Sequence, residues 1–108
     1  TLSPTPGILH ILGLAVAPNP VTGASYTLHL KLSAPSDEVV ISVFSSSGRR
    51  VRHGTVVPTA YGSFEPFTLD TVDDLASPLA NGIYHVRVQA FDGGRLADQA
   101  ALSFFVLR

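Results

Sequence analysis

Apolar and polar residues alternate one by one along most of this chain, in short runs broken by clusters of Gly, Pro, Asn, Asp and Ser. A period of two is the mark of antiparallel strands with one dry and one wet face. The clearest run is Tyr26-Thr27-Leu28-His29-Leu30-Lys31-Leu32, where Tyr26, Leu28, Leu30 and Leu32 share one face and Thr27, His29 and Lys31 the other. Ala34-Pro35-Ser36-Asp37 then reads as a turn. Val39 to Phe44 is almost continuously apolar and β-branched, which predicts a central strand with little water on either side. Ser45-Ser46-Ser47-Gly48 turns the chain into Arg49 to Val57, where arginines flank Val51. Phe67 and Leu69 alternate around Thr68 in the strand predicted over Phe64 to Leu69, and a loop rich in Asp and Pro follows from Asp70 to Gly82. Tyr84, Val86, Val88 and Ala90 alternate with His85, Arg87 and Gln89 in what should be the longest regular strand. Asp92-Gly93-Gly94-Arg95 is a hairpin signal, because tight turns need the positive φ that glycine allows. Leu102 to Leu107 closes the pattern as a last strand, apolar on both faces.

With Ile8 to Val16 as the first, the count is about seven strands spaced roughly 8–15 residues apart. The predicted fold is therefore all-β, a seven-stranded immunoglobulin-like sandwich of two antiparallel sheets. Helical spacing can be forced onto Val72 to Leu79, but Pro78 leaves room for one turn at most. At 108 residues the chain suits one domain, predicted over 8–108. Residues 1–7, Thr-Leu-Ser-Pro-Thr-Pro-Gly, read as a linker stiffened by Pro4 and Pro6.

Composition narrows the chemistry. There is no Cys, hence no disulfide, no thiolate zinc site and no cysteine nucleophile. Charged residues make up only 14 %, so Ser, Thr, Asn and Gln must wet the surface, a habit of extracellular β-proteins. The net charge of -1 removes the basis for nucleic-acid binding, and the local triplet Arg49, Arg50 and Arg52 reads as a solvated strand face. Ile8 to Ala17 is too short to cross a bilayer and no basic leader precedes it, so membrane insertion is not expected. A secreted or cell-surface monomer that folds without cofactor is the expectation.

Candidate chemistry is sparse. His10, His29, His53 and His85 lie singly on different predicted strands without metal-ligand spacing. Asp70, Asp73 and Asp74, with Asp92, are weak candidates for a calcium site because loop carboxylates can gather a hard cation, although a solvated acidic loop is the preferred reading. Tyr84, opening a strand after Asn81-Gly82-Ile83, has the placement of a tyrosine corner, in which the phenol bonds a backbone group upstream. Pro18 and Pro20 bracket Asn19 at a strand end and sharp turn. No nucleophile elbow, phosphate loop or spaced carboxylate pair occurs, and there is no Trp for stacking on sugars, so no catalytic residue is expected.

Three stretches in order resemble one family: Leu14-Ala15-Val16-Ala17-Pro18-Asn19-Pro20-Val21, Val43 to Arg52, and Leu79-Ala80-Asn81-Gly82-Ile83-Tyr84-His85-Val86-Arg87-Val88, followed by the terminal apolar strand. The family is the C-terminal sorting domain of the type IX (Por) secretion system, with the related Ig-like domain of flagellar hook-capping proteins. The resemblance covers about residues 14–108. It implies a seven-stranded sandwich ending an exported bacterial protein and carrying the signal that an outer-membrane translocon reads. Pro18, Asn19 and Pro20 match the family's opening turn, Gly48 its hairpin, and Gly82 and Tyr84 its strand start, all structural. Leu102, Phe104, Phe105, Val106, Leu107 and Arg108 match its final strand and are the implied recognition element. Leu79 with Tyr84-x-Val86-x-Val88-x-Ala90 is also similar to a fibronectin type III module, which would imply a spacer or adhesion domain attached to a secreted hydrolase. The implied partner is the translocon in the first case and a neighbouring domain in the second.

Overall fold

The computed structural model describes residues 9–59 and 61–107. Seven strands follow in order: β1 (Ile11–Ala17), β2 (Ser25–Leu32), β3 (Glu38–Ser45), β4 (Arg50–Val56), β5 (Phe64–Asp70), β6 (Gly82–Asp92) and β7 (Arg95–Val106). They form two antiparallel sheets, β1-β2-β5 and β4-β3-β6-β7. The fold is thus an all-β, immunoglobulin-like sandwich, and the described residues contain no helix. The first strand starts at Ile11; Ile8, the linker expected over 1–7 and Arg108 lie outside the described residues. The largest difference from the predicted strands is at β7, which begins at Arg95 and, at 12 residues, exceeds the 11 of β6. Its first half, with Asp98-Gln99-Ala100-Ala101, lacks an apolar alternation yet pairs with β6 from the Gly93-Gly94 hairpin onward, with one bulged residue at Ala97.

The core forms where the two dry faces meet. Tyr26, Leu28, Leu30 and Leu32 of β2 face Val39, Ile41 and Val43 of β3, Val86, Val88 and Ala90 of β6, and Phe104 and Val106 of β7. β3 lies between β4 and β6, as its β-branched run requires of a central strand. The Phe104 ring ties the sheets together, 5.1 Å from the ring centre of Tyr26 and 5.9 Å from that of Tyr84. On the outer face of the smaller sheet, Phe64 lies across Gly13; a β-carbon there would come within 2.7 Å of the ring, so the close approach needs glycine.

The two open sides of the sandwich are closed differently. On one, the chain leaves β1 at Ala17, turns through Pro18, Asn19 and Pro20, and crosses to the other sheet. Val21 then pairs in parallel with Val106, its N–H donating to Phe105 O (2.7 Å) and its carbonyl accepting from Leu107 N (2.9 Å). Asn19 Oδ1 accepts the Phe105 N–H at 3.0 Å. On the other side, Arg52 Nη1 donates to Asp70 O at 2.6 Å, reaching from β4 to the end of β5. This corrects the reading of Arg49, Arg50 and Arg52 as one solvated face. A bulge at Val51 shifts the register of β4, so that Arg52 stands opposite the inward residue Val43 and acts as a strut between the sheets.

Candidate functional site

Each described residue among those singled out in the sequence has a definite place in this frame. Tyr84 is buried at the start of β6, and its hydroxyl donates to Ala80 O, four residues upstream, at 2.7 Å. Gly82, at φ 153°, and Gly48, at φ 89° in the turn between β3 and β4, hold backbone conformations that L side chains rarely adopt. Tyr84→Phe removes the donor and leaves the Ala80 carbonyl without it, so a loss of about 1–2 kcal/mol is expected in urea denaturation. An unchanged midpoint would show that the bond contributes nothing.

In the acidic loop the carboxylates of Asp73 and Asp74 have separate partners. Asp73 Oδ1 accepts the N–H groups of Leu75 (2.8 Å) and Ser77 (2.9 Å), while Asp74 Oδ1 accepts that of His53 (3.0 Å). Asp70 contributes its carbonyl to Arg52. The carboxylates of Asp73 and Asp74 are engaged, the first in shaping its own loop and the second in fastening that loop to β4. Among the described residues no three His, Cys, Asp or Glu side chains could hold a metal ion. Asp92 lies apart from them, at the hairpin between β6 and β7.

The histidines are likewise scattered. His10 Nδ1 lies 3.8 Å from Asp98 Oδ2, and His85 Nδ1 lies 2.7 Å from Ser103 Oγ across β6 and β7. The second contact, which sequence spacing did not reveal, joins a base to a hydroxyl on an exposed sheet face. Among the described residues no carboxylate hydrogen-bonds His85, so the orienting group of a catalytic triad is missing. A cleft of about 210 Å³ opens between β4 and β5, lined by Ile41, Val43, Val56 and Leu69 together with Arg52 and His53. Its lining includes the Thr55 hydroxyl but no carboxylate.

The terminal strand divides in two. Phe104 and Val106 are buried and Leu102 is half-buried, all packed into or against the core. Phe105 and Leu107 alternate with them and are 50 % and 58 % exposed. Of the described members of the element implied by resemblance, Phe105 and Leu107 are the exposed ones, since a strand paired on β6 shows solvent every second side chain. Arg108 lies outside the described residues. Ile83 stands directly across from Phe105 and is 41 % exposed, so the two make a small apolar patch on the outer face.

Solved structures share this architecture. A part of latent PorU from Porphyromonas gingivalis is similar at 26 % identity and a TM-score of 0.72, over 87 % of this chain and 9 % of that one. A part of PorZ, a surface component of the type IX secretion system of the same organism, is similar at 18 % identity and a TM-score of 0.60, over 89 % of this chain and 12 % of that one. A β-glucuronidase of Lactobacillus rhamnosus contains the same fold at 13 % identity and a TM-score of 0.51, over 91 % of this chain and 16 % of that one. This chain therefore spans only a small fraction of each protein that it resembles. No curated protein matches the sequence. The FlgD Ig-like domain matches residues 19–94, from the opening turn to the last hairpin, and the chain belongs to that family.

Proposed function

We propose that this domain is a non-catalytic accessory module of a secreted bacterial protein and serves as its type IX sorting or anchoring signal, read by the translocon at the end of β7. The observation that carries the reading is the likeness to a part of PorU, which extends over 87 % of this chain. The geometry of β7 supports it. Phe105 and Leu107 offer a partner apolar side chains, while Phe104 and Val106, on the opposite face, anchor the same strand in the core. The polar clamp from Asn19 and Val21 holds that strand in place.

Deleting the segment would remove core residues together with surface ones, so the test uses substitution. Phe105→Asp combined with Leu107→Asp, placed in the parent protein in its native host, is expected to leave the parent in the cell envelope. The same variant domain should melt within a few degrees of the original, because exposed positions have small effects. Normal secretion of the folded variant would reject the sorting role.

That outcome would favour a second reading, a spacer or adhesion module beside a secreted hydrolase. The occurrence of the same fold within a β-glucuronidase favours it at the level of architecture.

A further inference from the structure

The outer face of the four-stranded sheet carries a charge that the described residues leave unneutralised. Strand register puts His85, Arg87 and Gln89 of β6 on this face, between Val40, Ser42 and Phe44 of β3 and Gln99, Ala101 and Ser103 of β7. The guanidinium carbon of Arg87 lies 5.1 Å from the ring centre of Phe44, a cation–π arrangement. Its Nε is buried and has no hydrogen-bond partner among the described residues. Among the described residues the only ion pair is His10 with Asp98, so no carboxylate pairs Arg87. Along these strands, Glu38 and Asp92 sit at the other end of β3 and β6, and Asp98 of β7 accepts the Ile11 N–H. The side chain is thus held in a fixed position while its charge stays available.

Toward the start of β6 the same face continues through His85, bonded to Ser103, to the exposed pair Ile83 and Phe105. An unpaired arginine on an aromatic ring, next to an apolar patch, has the composition of a protein-interface anchor. The unpaired guanidinium also selects the occupant. It is a rigid fork of donors that matches a carboxylate, and a half-buried cation without a counterion gains most from one.

We propose that this face is a docking surface for an acidic protein segment, one carboxylate engaging Arg87 above Phe44 while an adjacent apolar side chain covers Ile83 and Phe105. The inference rests on Arg87 and Phe44 and goes beyond the export reading, since a spacer would present the same face.

The test uses the 108-residue chain labelled with nitrogen-15 and two capped peptides, acetyl-Glu-Leu-Phe-Glu-amide and its neutral isostere acetyl-Gln-Leu-Phe-Gln-amide. At millimolar peptide, the acidic form is expected to shift the amides of Phe44, His85, Arg87 and Phe105 saturably. Binding should be about tenfold weaker for the neutral peptide, and about tenfold weaker for Arg87→Gln with the acidic one, as loss of a charge-assisted contact implies. Arg87→Lys should fall between. Equal shifts from both peptides, shifts at the β4–β5 cleft, shifts that follow protein concentration instead, or no saturable shift would each overturn the proposal. The peptide comparison is made on the unaltered chain, so it stands even where a substitution disturbs folding.

Discussion

Phe104→Ala is expected to lower the stability of the domain by about 3–5 kcal/mol, the range for truncating a buried aromatic. Phe104 has no exposed surface and packs between Tyr26 of one sheet and Tyr84 of its own. The void left by its ring cannot collapse easily, because the paired backbones on both sides hold the sheets apart. A loss of this size approaches the whole stability of an ordinary domain, so much of the variant should be unfolded at physiological temperature. The neighbouring Phe105→Ala supplies the contrast. Half-exposed on the opposite face, it should change the urea midpoint by no more than about 0.5 kcal/mol equivalent. Similar losses for the two would mean that the strand does not present its alternate faces as described.

The second large effect is a response to alkali centred on Tyr26. Burial pushes the pKa of its phenol up to about 12 from the ordinary 10.0, and nearby Arg52 offsets only part of that rise. Among the described residues no group hydrogen-bonds the hydroxyl, which is nearly inaccessible. The folded state therefore holds the neutral phenol while the unfolded chain releases its proton near pH 10. This contribution to stability is complete below pH 10 and is lost progressively as pH rises from there through about 12. A shift of about two units corresponds to roughly 2–3 kcal/mol over that window. Tyr26→Phe should abolish this part of the alkaline slope. At neutral pH it should cost little or even stabilise, because it removes a buried hydroxyl without leaving a partner unmet. Urea titrations of both proteins at neutral pH and across the alkaline range measure the difference. An unchanged alkaline slope in Tyr26→Phe would assign the response to another group.

How much of this was legible in the sequence varied with how local the cause was. The alternation in β2 and β6 specified both their existence and their facing, because a period of two in a strand with one dry face leaves no other phase. β7 was read only from Leu102 onward. Its first half carries Asp98, Gln99 and two alanines, and is a strand because the Gly93-Gly94 hairpin brings it against β6. The run Leu102 to Leu107 presented apolar residues at both phases, so sequence alone could not separate anchoring from exposed positions. The pairing of Tyr84 with Phe104 does so. Arg52 was misplaced because one bulged residue, Val51, reverses the parity of the strand beyond it. The surface around Arg87 was legible only as alternating polar residues. Its contact with Phe44 joins β6 to β3, positions 43 residues apart in the chain, which no local pattern relates.

The crossing at Pro18, Asn19 and Pro20 has a mechanical consequence. Val21 lies parallel to Val106, so tension pulling the chain before Asn19 one way and the chain after Val106 the other runs along the two segments in opposite directions. The bonds from Val21 to Phe105 and Leu107, and from Asn19 to Phe105, lie across that direction and are strained together in shear, whereas a hairpin under tension opens one bond at a time. The segment that follows β1 and the end of β7 are thereby fastened to each other at one point, and force that reaches this crossing is borne by all three bonds together.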